Sequence, residues 1–436
     1  MVDLSIPGRE RLEGANDYDL GDLPRFARAR RHRDPPAVDD VRAATQDAVE
    51  ALDFSDVPAG GEVAITAGSR GIADAPELLA AVVDEVELRG YEPFVFPSMG
   101  SHGGATAEGQ VETLRSVGVT EERVGCPIRS SMAVEEVGTD VEGRPVFVAE
   151  DALAADGVVL ANRVKAHTDY SGGLESGLAK MAVVGMGKHR GAEVTHNAAL
   201  ARGFDAVIGE RAEIVLDAAP VVGGLALLEN AHEHAAEIVG LPADRILDEE
   251  PDLLDRSKEL LATLPVDDLD LLVVDEMGKE ISGTGMDTNV LGRVDFHGQA
   301  EPDEPDITRV YVRSLTEASH GNAVGVGLAD FAHVDVLEAI DLGDTYVNIA
   351  TSGEPSRARL PYTVPADATA LLVACSMTGV RDPADLRVAR IENTLEPDDL
   401  LVSEPVADEL ADHSEVAVSD LEPLAFDADG ELETPL

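Results

Sequence analysis

The chain has 436 residues, 44% of them hydrophobic, and carries 33 basic against 85 acidic side chains, a formal net charge of −52. That length favours two domains over one. The apolar content excludes a disordered chain, and no run of about 18 apolar residues offers a membrane-spanning helix.

GEVAITAG (61–68) reads as a buried strand ending in a Gly-Ser turn. Residues 73–87 have helical periodicity, with Leu78, Leu79, Val82, Val83 and Val86 on one face and Gly90 as the stop. YEPFVFPSMG (91–100) is a second strand, SHGGAT a glycine-rich turn, and 106–117 a second helix. DGVVLANRVKAH (156–167) is a strand running into a loop. Residues 174–184 and 192–202 look helical, 222–229 and 269–275 strand-like, and the acidic stretch 241–270 reads as a helix plus connector. A boundary near 265 separates an N-terminal α/β domain, 1–265, from a C-terminal α/β domain, 266–436. In the second, DLLVVDE, TRVYVRSL and ATALLVACS (368–376) repeat the strand pattern with helical segments between, and the acidic tail after Pro405 is expected to be peripheral. Strands alternating with helices predict an α/β fold class: two α/β domains with layered, mainly parallel sheets, and the notable residues that follow strand ends in both halves point to an active-site cleft between them.

The acids are spread along the chain rather than gathered in one block. Such a field repels nucleic acid and anionic membranes, so neither is an expected partner. Molar salt, which reduces the Debye length to roughly 3 Å, screens it, and a halophilic cytoplasm is the expected setting. The polar N-terminus, without a signal-peptide apolar stretch, points to the same compartment. Cys126 and Cys375 make neither a disulfide framework nor a thiolate metal cluster. There are only five lysines, Lys165, Lys180, Lys188, Lys258 and Lys279. Three fall between 165 and 188, beside His167, His189 and His196, and the histidines and glycines concentrated there favour a functional segment over chance clustering.

In open α/β sheets ligands bind beyond the carboxyl ends of the strands. Ser69 and Arg70 follow the first strand, His102 the second, His167 the strand ending at Val164, and Lys279 follows DLLVVDEMG. GSHGGAT opens a helix, so the backbone at Gly103 and Gly104 suits an anion such as phosphate. The same glycines also suit a plain turn, since the spacing matches no P-loop or Rossmann fingerprint. His102 titrates near neutrality and suits acid–base work; the alternative is an exposed loop histidine. HTDYSGGLESGLAKM (167–181) links His167, Ser171 and Gly172 to Lys180, which lies on a nearly uncharged helical run. A lysine among apolar neighbours loses proton affinity and becomes a nucleophile or cofactor anchor, unless it snorkels to the helix edge. His189 and His196 are seven apart and share a side if one helix continues. Either neutral imidazole suits nickel, zinc or iron, or is a packed polar side chain. The loop 281–290, with Asp287 and Asn289 just after Lys279, is expected to close over a ligand; the alternative is a long turn.

Taken together, GSRGI, PSMGSHGGATAEGQ, RVKAHTDYSGGLESGLAKM, GMGKHRGA and DEMGKEISGTGMDTNVLGR resemble the lactate racemase family that uses a nickel-pincer nucleotide, in a relative of haloarchaeal type. The resemblance spans most of 60–295. It implies a pyridinium mononucleotide whose two sulfur-bearing arms hold nickel, linked covalently through Lys180. It implies His196 as the nickel ligand, with His189 as the fallback, and His102 and His167 flanking the substrate, one for each enantiomer. Arg70 resembles an arginine that pairs with the substrate carboxylate, and Lys279 one that contacts the cofactor phosphate or the substrate. The implied activity is racemisation or epimerisation of a small-molecule 2-hydroxy acid. The pattern departs from the best-known members at Ala67, where an aspartate is expected, and at Gly103, where an arginine is. Four extra residues separate YSGG from Lys180, and the chain has no tryptophan. These departures bear on the substrate, which ranges from lactate to sugar acids. A metal-dependent hydrolase or lyase using the same histidines, a non-catalytic cofactor-binding protein, and assembly as a homo-oligomer stay open on the residues alone.

Overall fold

The structure, a computed structural model, describes residues 6–15, 17–69 and 74–436. It divides into two compact units, Pro35–Leu261 and the combination of Met1–Asp34 with Ala262–Leu436. Both are α/β.

The unit Pro35–Leu261 is built on five strands in the spatial order Glu92–Pro97, Glu62–Ala67, Gly157–Arg163, Val221–Glu229 and Ala235–Pro242. The first four are mutually parallel and the fifth runs antiparallel. Parallel strands need covering on both faces, and their side chains alternate accordingly. Val63 and Ile65 meet Leu79, Val82, Val83 and Val86 of helix Ala75–Leu88. Ala64, Phe94, Phe96 and Leu160 turn the other way, toward Leu178, Met181, Val215 and Leu253. The apolar face read from residues 78–86 is thus the face that packs. Gly90, at φ +86°, takes the left-handed turn that ends the helix. Residues 174–177 stay outside the helix expected there: the chain forms a short α-turn, Leu178–Lys180, running into a π-turn, Met181–Gly185.

The second unit has an eight-stranded sheet whose central strands, Asp268–Met277, Asp306–Leu315 and Val388–Ile391, are parallel neighbours. Three expectations are corrected here. ATALLVACS is not a strand but helix Asp367–Met377, with residues 367–375 all buried. A helix apolar all round has no period to read, so a short apolar run fits either element. The tail after Pro405 is integral: Val406, Ala407 and Leu410 are core residues, and Phe426, Leu432 and Leu436 pack against the core. The expected N-terminal domain 1–265 differs at its start, because Phe26–Arg31 pairs antiparallel with Asp399–Ser403 and Val416–Val418. Among the described residues no helix is long and apolar enough to cross a membrane.

Candidate active site

Three parallel neighbours deliver the candidate residues to one sheet edge. The chain leaving Glu62–Ala67, Glu92–Pro97 and Gly157–Arg163 at their carboxyl ends carries Ser69, His102 and His167 respectively. Ser69 Oγ lies 2.5 Å from His102 Nδ1. Arg70 lies outside the described residues. Gly103 has φ +65°, and a Cβ there would fall 2.5 Å from the Gln110 backbone nitrogen, so glycine lets the turn press onto helix Ala107–Ser116. Thr106 already caps that helix, accepting the Gly109 N–H at 3.1 Å. Gly104 is exposed.

The His167 loop closes at its neck, where Lys165 and Ser176 exchange backbone hydrogen bonds of 2.9 and 3.2 Å. Inside it the buried Glu175 carboxylate accepts the His167 N–H at 2.5 Å, the Gly172 N–H at 3.1 Å and the Ser171 hydroxyl at 3.4 Å. Ser171 and Gly172 are thereby tied into the loop itself. The Asp169 N–H donates to His167 Nδ1 at 3.0 Å.

A file of rings joins the rest. His167 stacks on Tyr170 at 4.4 Å between centroids, Tyr170 on Phe204 at 4.3 Å, and Phe204 meets His196 at 5.9 Å. Lys180 Nζ stands 5.3 Å from the centre of the Tyr170 ring, within reach of a cation–π attraction. Burial, and after it the charges of Lys180 and His102, lower the His196 pKa to about 4. The imidazole is therefore neutral at physiological pH, the form that binds a metal. His189 lies in the first turn of the same helix, Lys188–Arg202, and is exposed. The structure thus brings His102, His167, Lys180 and His196 together and leaves His189 apart.

The helix start beneath Lys180 is held by side chains. Asn162 Nδ2 donates to the Gly177 carbonyl at 2.8 Å, and Glu250 accepts the Ala179 N–H at 2.9 Å. A Cβ on Gly177 would lie 2.1 Å from Glu250 Oε1, so a side chain there would displace the carboxylate. Among the described residues Glu250 Oε1 meets no partner of good hydrogen-bond geometry, and burial, opposed by the Ala179 and Leu178 backbone, pushes the carboxyl up to about 7.

Lys279 belongs to the other unit, where its ammonium donates to the Gly283 carbonyl and its N–H to Ser319 Oγ at 2.9 Å. The loop after it is a packed turn rather than an open flap. Thr284, Met286 and Asp287 are buried, and Asp287 Oδ1 accepts from the Asn289 backbone and side chain at 2.9 and 2.8 Å. That unit also has a cavity of about 460 Å³ lined by Asp275, Arg313, His333, Asp367 and Glu431. There Arg313 pairs with Asp275 and Asp367, and His333 meets Glu431 at 3.3 Å. Among the described residues no three His, Cys, Asp or Glu side chains form a metal-binding group.

Sequence reasoning missed Tyr170, Phe204, Glu175, Glu250 and Gln110. Only Tyr170 carried a signal: aromatics are 3% of the chain, and this one lies three residues from His167. The others have partners far along the chain, as where Gln110 meets Lys188 across 78 positions and Glu250 meets Ala179 across 71, and nothing local marks them.

No family model matches the chain, and no curated protein matches it. Among solved structures, the lactate racemase apoprotein from Thermoanaerobacterium thermosaccharolyticum matches with a TM-score of 0.49 and 12% identity, over 86% of this chain and 96% of that one.

Proposed function

We propose that this chain is a racemase or epimerase of a 2-hydroxy acid, lactate or a relative, with a nickel-pincer nucleotide carried on Lys180. What supports the reading is the gathering of one amine and one neutral imidazole, Lys180 and His196, with two further histidines on the loops of the two strands that flank Glu62–Ala67. The donor set suits such a group. A metal held by side chains alone takes three or four ligands, whereas one that arrives with its own sulfur donors needs little more than the His196 imidazole. Lys180 would hold an arm of the ring and His196 the nickel. When bound, the group supplies a hydride acceptor that later returns the hydride.

The remaining work falls to the chain's own groups. The Cα–H of a 2-hydroxy acid is a poor acid, so the proton to be moved is the hydroxyl proton. Nδ1 of His167 accepts a backbone N–H, so the neutral ring carries its proton on Nε2 and is a donor. Nδ1 of His102 meets a hydroxyl that donates or accepts, so His102 adopts either tautomer and serves as the acceptor. One imidazole taking the hydroxyl proton while another holds one to return is what interconversion of enantiomers requires. Tyr170 and Phe204, both buried, keep water from the stacked face of His167. Arg70, by its chemistry, would pair with the substrate carboxylate in bidentate fashion.

The test is intact-protein mass and metal analysis after co-expression with cofactor-synthesis genes, alongside chiral analysis of 2-hydroxy acids. The expected result is an adduct mapped to Lys180, bound nickel, and enantiomer interconversion that Lys180→Ala abolishes in a folded protein. Unchanged turnover in Lys180→Ala removes the proposal, and metal without an adduct turns it toward the hydrolase or lyase class.

A further inference from the structure

Two of the five lysines lie beneath the histidine loops and take no part in the chemistry above. Lys188 is completely buried and adopts φ +53°, a conformation that non-glycine residues rarely take. Its ammonium donates to the Pro97 carbonyl and, at 3.2 Å, to Gln110 Oε1. Those hydrogen-bond partners are a carbonyl and an amide, not a carboxylate, and burial pulls its pKa down to about 8. A buried ammonium is expensive to keep, and a methionine would fill the same space. What methionine lacks is the donor set. Gln110 Nε2 passes the tie onward, to the Gly100 carbonyl at 3.0 Å and the His102 carbonyl at 3.4 Å. The stretch 98–106 contains a single 3-10 turn and is anchored at its start by backbone bonds to Ala67 and Gly185, and the Gln110 amide adds two ties at its middle.

Lys258 makes a parallel relay. From helix Ile246–Glu259 it pairs with Glu175 at 2.8 Å. Glu175, whose side chain is 1% exposed, accepts the His167 and Gly172 backbone N–H groups at 2.5 and 3.1 Å. In each relay one intermediary, an amide or a carboxylate, joins a lysine to the main chain at a histidine.

We infer that Lys188 and Lys258 are positioning residues, each fixing one histidine loop through a single intermediary, Gln110 for His102 and Glu175 for His167. The inference rests on the reading of His102 and His167 as the acid–base pair. It also accounts for lysine surviving at 188 in a chain that otherwise prefers arginine. A compact ammonium on a flexible stem fits an enclosed space that a planar guanidinium does not. At 258 the partner is a carboxylate, and arginine serves equally.

The experiment uses the full chain with 13C-labelled histidine, following the ring resonances of His102 and His167 together with amide exchange in 98–106 and 166–175. Lys188→Met is expected to move the His102 resonance and to speed exchange in 98–106 about fivefold, the loss of roughly one hydrogen bond, with His167 unmoved. Lys258→Met is expected to do the reverse, and Lys258→Arg to restore the His167 resonance. Should Lys188→Met fail to fold, Gln110→Leu breaks the same relay one bond nearer His102 and gives the same selective shift. Unmoved resonances, or both loops loosening alike in either variant, overturn the inference. Selective shifts in a protein that racemises no 2-hydroxy acid would instead remove the functional reading and leave the relays standing.

Discussion

Glu250 carries a buried carboxyl to the backbone of the turn that bears Lys180. Its pKa rises from 4.5 to about 7, so between those values the folded chain holds more protons than the unfolded one. Stability from this group is complete below about 4.5 and lost as pH rises through 7. His196 has the opposite sign. Its pKa falls from 6.5 to about 4, so the unfolded chain binds more protons in that window and stability rises with pH across it. The two slopes oppose each other between 4.5 and 6.5. Glu250→Gln keeps the shape and removes one slope. It should gain roughly 1–3 kcal/mol at pH 8 and little at pH 4, and its unfolding free energy should climb more steeply than that of the parent from pH 4.5 to 6.5 in denaturant titrations. Parallel pH profiles for the two proteins would show that the carboxyl is not held neutral. Neither group was marked in the sequence as perturbed, because both shifts arise from neighbours distant along the chain.

Strands with flanking turns were the most legible elements. The segments 61–68, 91–100 and 156–167 contain the strands Glu62–Ala67, Glu92–Pro97 and Gly157–Arg163, because each is bounded by glycine or a charged turn, and their loops carry the candidate residues. Helix Asp367–Met377 was illegible for the reason that makes it stable: it is enclosed on every side. Leu371, 2% exposed within it, should lose about 2–5 kcal/mol on conversion to alanine. The tail was misjudged from its acidity. Most of its acids are exposed, though Glu431 turns in to meet His333, while Phe426, Leu432 and Leu436 reach the core, and the Leu432 N–H binds Asp367 at 2.8 Å. Removing residues 425–436 should lower the denaturant midpoint by more than removing an exposed segment of equal length, and an unchanged midpoint would contradict that packing.

Net charge belongs to the molecule as a whole. Arginines meet many of the acids in pairs, as where Arg313 and Arg390 share Asp275 at 2.9 and 2.8 Å, yet 85 acids against 33 bases leave most of the repulsion to the solvent. The helical circular dichroism signal should therefore melt at a lower temperature in dilute buffer than in molar potassium chloride, and equal melting in both would remove the halophilic expectation. The sequence placed a boundary near 265, close to the observed join at Leu261 and Ala262, but the outer partner of Phe26–Arg31 lay too far along the chain to be read locally. That pairing makes Pro35–Leu261 an insertion within the other unit. Arg25 and Glu404, which bond beside it, are 379 positions apart. At roughly 5–20 residues per second of synthesis, the first strand waits on the order of 20–80 s for its neighbours. The inserted unit can finish folding on the ribosome during that wait, while its host remains open until the last residues emerge.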